Sequence, residues 1–241
     1  MLGPFDYTLW MVSFLAELYV VVWAVCHKQF FRYVTLNIYI LAAALQTAGF
    51  SYVFFYKHYG IASLEYRYMY YYTDALLTIL MFFVVMHFYQ EVFQQMKVSH
   101  YVRGGAAMLL TATAFFSYLV VHQNKDHLTS RFVVELGQNL YFVGVVLTYL
   151  LWGAIMKLRE TRTRLIQLVL ALGIFFSADA ATYAMRNLFP GLQGSVLKFV
   201  PPLVGVFLPL AWAYTLTKIS ESARLETARV ALPRMAAHQH S

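Results

Sequence analysis

Four carboxylates stand in the outer parts of otherwise apolar stretches of the 241-residue chain, where acids are rare and costly. Glu135 lies only about 5 Å deep and is expected to pair with Arg131 at the rim, and the other three lie deeper. They are Glu17, Asp74 and Asp179. Counted at about 1.5 Å per residue from the predicted outer ends of those stretches, they lie roughly 13, 9 and 12 Å deep in membrane-spanning helices. A charge at such a depth cannot be solvated by lipid, so it predicts a function. The similar depths predict one acidic layer inside a helical bundle.

Hydroxyl groups flank two of these acids at helical spacing. The residues three or four positions from Asp74 or Asp179, and so on the same helix face, are Tyr70, Tyr71, Thr78 and Tyr183. Together with Glu17 these polar faces are predicted to turn inward and to bind a cation, an amine or a polar organic molecule in an outward-opening cavity. The alternative is that the same groups bond to one another and serve only as interhelical contacts.

A histidine and an acid stand four residues apart near the other end of the third apolar stretch. At this spacing His87 and Glu91 share a helix face and are suited to a proton relay, to one metal ion or to a simple hydrogen bond. We favour a hydrogen-bonded inner polar pair, because no second histidine stands inside a predicted span to complete a zinc or haem site. The sequence therefore predicts no metal site, no cofactor and no catalytic residues.

Seven apolar stretches must position these residues. Hydrophobic side chains make up 61% of the chain and charged ones only 12%, too few for a water-soluble globule. In lipid the backbone must satisfy its own hydrogen bonds, so stretches of about 18 or more apolar residues predict helices. We predict an all-α fold, a polytopic membrane bundle of seven transmembrane helices. The predicted spans are 8–26, 33–56, 69–96, 104–121, 132–156, 165–185 and 199–217.

The basic residues predict how the bundle is oriented. Twelve of the 18 lysines and arginines follow helices one, three, five and seven, and six lie on the other side. Because basic loops stay in the cytoplasm, the N-terminus is predicted outside and the C-terminus in the cytoplasm. This divides the chain into a seven-helix transmembrane domain, 1–218, and a short cytoplasmic tail, 219–241. The inner or plasma membrane is the expected location, with membrane lipids as partners and no nucleic acid.

Two motifs in the third stretch carry a family resemblance. It opens with YYYTD at 70–74 and closes with FYQEVF at 88–93. On these motifs the chain resembles uncharacterised bacterial seven-helix integral membrane proteins and is loosely similar to the seven-helix sensor modules of bacterial signalling proteins. Retinal proteins are excluded because the middle of the seventh stretch has no lysine, and the two helix motifs of G-protein-coupled receptors are missing. The resemblance implies a receptor-like function and names no ligand.

These observations predict a receptor- or sensor-like membrane protein. It would bind its ligand from the outer side and signal through a cytoplasmic or membrane partner, because the tail is too short for an output domain. The alternative is a small transporter or proton-coupled permease that uses the intramembrane carboxylates. On an ideal helix His87 and Glu91 point about 140° and about 100° away from Asp74 around the axis, an offset that favours a closed pocket. An enzyme is only the third hypothesis. It would need an acid, a base and a metal clustered in one site, and the sequence offers no such cluster.

Overall fold

Helices make up almost all of the part of the chain that the structure describes. The computed structural model describes residues 4–55, 64–93, 99–122, 128–188 and 200–224. Within these ranges the helices are α1 (Pro4–Cys26), α2 (Val34–Phe55), α3 (Leu64–Phe93), α4 (Ser99–His122), α5 (Leu128–Lys157), α6 (Thr163–Leu188) and α7 (Val200–Lys218). Each predicted span overlaps one of these seven helices. The predicted all-α class is therefore confirmed.

Six of the helices are long and apolar enough to cross a membrane. These are α1, α2, α3, α5, α6 and α7, whereas α4 carries a shorter apolar segment over Ala107–Val120. Large apolar side chains such as Leu45, Phe115 and Tyr149 are exposed on the outside of the bundle. Contact with lipid explains this exposure, since a water-soluble protein rarely displays so extensive an apolar surface. The chain is a membrane-embedded, multi-pass helical protein.

The helices pack into one bundle with α4 at its edge. α1 packs on α2 and α7, α5 packs on α3 and α6, and α6 packs on α7, while α4 contacts α5 and, less extensively, α3. Leu36, Val84, Leu151, Leu168 and Leu172 are completely buried within the core. This arrangement places α1, α2, α3, α5, α6 and α7 around a common interior.

α5 and α6 approach closely at a glycine. A Cβ atom at Gly144 would clash with the ring of Phe176. That ring is almost fully buried and is flanked by Tyr141 and Phe175, with ring centroids 6.1 and 5.7 Å away. Small residues permit such close backbone approach between membrane helices, so Gly144 sets the spacing of this pair.

The chain after α7 folds back on the end of the bundle. The backbone N–H of Thr163 donates to the Ala223 carbonyl at 3.3 Å, and Arg32 forms an ion pair with Glu221. Residues 219–224 of the predicted tail are thus attached to the connections between helices. The remainder of that tail, 225–241, lies outside the described residues.

Candidate functional site

A cavity of about 370 Å³ lies between six of the seven helices. α1 contributes residues from Leu9 to Glu17 and α7 from Pro201 to Trp212, so the cavity lies toward the end of the bundle that contains the start of the chain; among the described residues, α4 contributes none to the lining. We call this space the acidic cavity. Its polar and charged lining residues are Ser13, Glu17, Tyr39, Gln46, Thr47, Tyr70, Asp74, Thr78, Tyr141, Asp179, Thr182 and Tyr183.

All three of the deeper acids of the sequence analysis line the acidic cavity. Glu17 comes from α1, Asp74 from α3 and Asp179 from α6. Glu17 is 7% exposed and Asp179 is 9% exposed, while Asp74 is half-buried. A Cβ atom at Gly137 would stand 3.9 Å from Asp74 Oδ2, so the carboxylate lies against α5. Helices that are distant in sequence thus bring three carboxylates to one space.

Three of the four predicted hydroxyl residues line the same cavity. Tyr70 and Thr78 do so from α3, and Tyr183 does so from α6. Thr78 Oγ1 donates to the backbone carbonyl of Asp74 at 2.8 Å, so its one proton is used within α3 and its oxygen can only accept a further hydrogen bond. Tyr71 is not a lining residue; its ring packs edge-on against Tyr70, with centroids 5.7 Å apart. Six of the seven predicted ligand-binding residues therefore share one cavity.

The carboxylate of Glu17 is only partly satisfied. Ser13 Oγ donates to Glu17 Oε1 at 3.1 Å. Glu17 Oε2 is buried and has no hydrogen-bond partner among the described residues. A buried oxygen without a donor is costly unless a ligand, a water molecule or a proton completes its bonding. This oxygen is a free acceptor on the cavity wall.

Aromatic rings form much of the cavity wall and its floor. Trp212 is 0% exposed, and its ring meets Tyr39 edge-on, with centroids 5.8 Å apart. The Nε1–H of Trp212 donates to the Leu168 carbonyl at 3.4 Å, which holds the indole in place. The rings of Tyr141 and Tyr183 lie 5.6 Å apart on the opposite wall. Aromatic faces attract cations, so these walls add to the attraction of the carboxylates.

The acidic cavity carries negative groups without compensating positive ones. No lysine, arginine or histidine is among its described lining residues. Three carboxylates in a low-dielectric interior create a strongly negative potential when they are ionised. Among the described residues no group of three or more His, Cys, Asp or Glu side chains is placed to hold a metal ion in the way of a zinc centre. The geometry suits a monovalent cation or a protonated amine.

Apolar packing fills the bundle between the acidic cavity and its far end. Met81 lies on the cavity wall of α3, and Val84 and Phe88 follow it with 0% exposure. Leu172 and Leu168 occupy the same level on α6 and are also fully buried. About two helical turns of apolar side chains therefore separate the cavity from the opposite end in the described part of the bundle.

Glu91 has a partner that the sequence analysis did not give it. Arg162 Nη1 lies 3.2 Å from Glu91 Oε2, and Arg162 Nη2 donates to the Glu91 carbonyl at 2.8 Å. His87 is half-buried, and its Nε2 has no hydrogen-bond partner among the described residues. An arginine fork binds a carboxylate more strongly than a neutral imidazole does, which accounts for the different pairing. The expected hydrogen bond between His87 and Glu91 is not formed.

Arg162 belongs to a group of charged residues at the end of the bundle opposite the acidic cavity. We call this group the polar belt; it consists of Arg32, Glu91, Glu160, Arg162, Arg164 and Glu221. Arg162 donates two hydrogen bonds to the Glu160 carboxylate, from Nε to Oε1 at 3.0 Å and from Nη2 to Oε2 at 2.8 Å. These hydrogen bonds lower the pKa of Glu160 below its ordinary value of 4.5 and raise the pKa of Arg162.

Arg164 closes the end of α7. The residue is 6% exposed, and Nη2 donates to the carbonyls of Leu216 and Ile219 at 2.9 and 2.6 Å. Nε also donates to Ile219 at 2.9 Å, and Nη1 donates to Gln29 Oε1 at 3.2 Å. A cation at a helix C-terminus satisfies carbonyls that lack intrahelical partners and complements the helix dipole. One side chain thus joins α6, α7 and the connection after α1.

The aromatic floor and, apart from Glu91, the polar belt were not predicted from the sequence. Tyr39, Tyr141 and Trp212 carry no signal that separates them from the many aromatic residues at lipid contacts. Arg162 and Arg164 were counted only for orientation. Arg164 does carry a signal, because an arginine at the start of α6 opposes the helix dipole and so indicates acceptors from another element.

The described helices and the acidic cavity define the class of the protein, a polytopic helical membrane protein with an acidic, aromatic-walled cavity in its membrane-spanning region. No protein-family model matches the chain, and no curated protein or solved structure matches it either. The chemistry of the cavity itself therefore carries the functional argument.

Proposed function

We propose that the chain is a receptor-like membrane protein that binds a small organic cation in the acidic cavity. The observation that supports this most strongly is that Glu17, Asp74 and Asp179 line the same cavity, while no basic residue is among its described lining residues. Ionised carboxylates in a membrane interior need a counter-charge, and a bound cation supplies it. The sensor-like resemblance of the third helix remains a prediction.

The dimensions and walls of the acidic cavity favour a compact amine. A volume of about 370 Å³ lies at the small end of ligand pockets, which run from ~300 to ~1,000 Å³. The half-buried rings of Tyr39 and Tyr183 line the cavity and offer aromatic surface to an alkylammonium group, and Tyr70 and Gln46 add polar lining. Charge selects a cation, and the rings favour one with an organic surface over a fully hydrated ion.

We infer that the acidic cavity faces the outside of the cell and the polar belt faces the cytoplasm. The distribution of basic residues, twelve against six, supports this orientation and a location in the inner or plasma membrane. Reporter enzymes fused to each terminus test it, because a reporter active only in the periplasm or outside the cell should be active at the N-terminus. Activity of that reporter at the C-terminus would contradict the orientation.

The apolar packing below the cavity favours a receptor over a carrier. A proton-coupled permease needs a polar route from Asp74 toward Glu91, whereas Val84 and Phe88 lie between them with 0% exposure. In the receptor proposal the ligand stays in the cavity, and a membrane or cytoplasmic partner reads a change in helix packing. Replacing Asp74 by asparagine separates the receptor from the permease, because asparagine has nearly the same shape as aspartate but cannot take up a proton.

The experiment measures ligand-induced stabilisation of the purified full chain. Methylammonium, tetramethylammonium and choline are compared with the uncharged tert-butyl analogue of choline, because only the charge differs in the last pair. We expect a cation to raise Tm and Asp74→Asn to weaken its binding by about 2 kcal/mol, roughly 30-fold in Kd. Glu135→Gln is the matched control, since Glu135 is a half-buried acid of α5 outside the cavity lining.

Two outcomes would contradict the proposal. One is equal stabilisation by choline and its uncharged analogue, which would remove charge as the basis of recognition. The other is cation binding that Asp74→Asn leaves unchanged, which would make Asp74 an interhelical contact only. Uptake of a cation driven by a proton gradient in vesicles, and its loss in Asp74→Asn, would instead support the permease.

A further inference from the structure

An unusual concentration of oxygen atoms lies where α1 meets α7 on the wall of the acidic cavity. Pro209 stands inside α7 and has no backbone N–H, so the carbonyl four residues earlier, at Gly205, loses its helical donor. Ser13 Oγ of α1 lies 3.4 Å from Gly205 O and 3.1 Å from Glu17 Oε1. A freed backbone carbonyl, a hydroxyl and a carboxylate thus face one another across two helices.

Hydrogen-bond donors are too few for the acceptors in this cluster. The single hydroxyl proton of Ser13 is shared between Glu17 Oε1 and Gly205 O, and Glu17 Oε2 is buried without a partner among the described residues. Thr47 lies within hydrogen-bonding reach of the Glu17 carboxylate and 3.0 Å from the Ala43 carbonyl, and its single hydroxyl proton can serve only one of them at a time. Two hydroxyl protons therefore face four acceptor oxygens, and a bound cation, a water molecule or a proton must compensate for the surplus.

We propose that Glu17, Ser13, Thr47 and the Gly205 carbonyl form a binding site for a sodium ion. Hard cations prefer oxygen ligands, and carbonyls freed at a break in a membrane helix are known to coordinate sodium in other proteins. One carboxylate supplies one negative charge, which matches a monovalent ion. Ser13, Glu17, Thr47 and Gly205 all line the acidic cavity, so water molecules from the cavity can complete the coordination of the ion.

This site goes beyond the proposed organic-cation function and shares only Glu17 with it. Asp74 and Asp179 stand on α3 and α6, whereas the sodium ligands come from α1, α2 and α7. A sodium ion at Glu17 would leave the other two acids to an amine. The two proposals can therefore fail separately, and the test below uses inorganic cations only.

The experiment follows Tm of the purified full chain while sodium chloride replaces caesium chloride at constant ionic strength. Caesium is an inorganic ion too large for a compact set of four oxygens, so it keeps the ionic strength without filling the site. A site that binds only the folded state raises Tm along a saturating curve as its ligand increases. We expect this saturating rise in the wild-type chain.

Variants then connect the rise to the four oxygens. Glu17→Gln should raise the apparent Kd for sodium by about tenfold or more, because the ion loses its only charged ligand. Pro209→Ala restores an N–H that can bond the Gly205 carbonyl, so it should weaken sodium binding without changing any charge. Glu135→Gln again serves as the matched control and should leave the sodium curve in place.

The wild-type titration alone is sufficient to overturn the proposal. A Tm that does not depend on the exchange of caesium for sodium means that no sodium site exists, whatever the variants do. A saturating rise that persists unchanged in Glu17→Gln places the sodium elsewhere and also overturns the assignment. Loss of the rise in both Glu17→Gln and Pro209→Ala, with Glu135→Gln unaffected, supports it, and the choline measurement is independent of all three results.

Discussion

Arg164 should be among the most sensitive positions for stability, because one buried guanidinium serves three separate acceptors. These are the carbonyls of Leu216 and Ile219 and the side-chain oxygen of Gln29. Replacing it by methionine keeps a long side chain and removes every donor. The carbonyls at the end of α7 would then lose their charged partner.

The expected loss of stability follows from these bonds. A hydrogen bond from a charged donor contributes about 1.5–3 kcal/mol, and a cation at a helix C-terminus adds roughly 0.3–1 kcal/mol. The three acceptors are not additive, and water at the bundle end would rebond part of what is lost. We therefore expect Arg164→Met to lower the free energy of unfolding by about 3 kcal/mol, or Tm by roughly 6–12 °C for a chain of this size. Arg164→Lys keeps the charge but loses the fork, so it should cost about half as much.

The assay is thermal unfolding of the purified chain, followed by tryptophan fluorescence, with hydrogen exchange of the last turn of α7 as a second measurement. Lys157→Met is the matched control, because Lys157 is an exposed cation at the same end of the bundle. It should change stability by no more than about 0.5 kcal/mol. The reasoning is refuted if Arg164→Met behaves like Lys157→Met, or if exchange at the end of α7 does not increase.

Two further predictions concern a close helix contact and the polar belt. Gly144→Ala should destabilise the protein by about 1–3 kcal/mol, because its methyl group would clash with the buried ring of Phe176. Gly153→Ala on the same helix is the control. A Cβ atom there meets nothing within 4 Å, so this variant should be neutral or stabilising in the same unfolding assay. Arg162 lowers the pKa of Glu160, so the stability from this pair is complete above pH 4.5 and is lost as the pH falls through the lower folded value. Glu160→Gln should reduce this acid-induced fall of Tm, and equal acid profiles for the two proteins would contradict the assignment.

The sequence was sufficient for the helices and for the acids because both signals are local. A helix that spans lipid must be long and apolar, and an acid within it is conspicuous without any knowledge of its neighbours. Helical spacing also placed Thr78 and Tyr183 beside Asp74 and Asp179. Tyr71 shows the limit of such reasoning, since three adjacent tyrosines point in different directions and only contacts between helices decide which of them reach the cavity.

The parts that could not be predicted depend on contacts between distant segments. Trp212 lines the cavity floor because α7 packs on α1 and α6, and nothing local distinguishes it from a tryptophan at a lipid interface. Glu91 pairs with Arg162, which is 71 residues away along the chain. The inner pair predicted from a spacing of four residues was replaced by this stronger, nonlocal partner.

α1 and α7 connect the two polar regions of the molecule. At the level of the acidic cavity they meet through Ser13 and the Gly205 carbonyl that Pro209 sets free. Pro209 and Leu216 are seven residues apart, which is about 10 Å along the helix. This distance separates the proline from the Leu216 carbonyl, which accepts a hydrogen bond from Arg164. A cation that draws the Gly205 carbonyl toward α1 acts on a helix whose other end is fixed by a buried arginine. In the proposed receptor α7 is therefore the element through which occupancy of the cavity reaches the polar belt, because in the described part of the bundle the two regions are separated by the apolar packing of Val84, Phe88, Leu168 and Leu172.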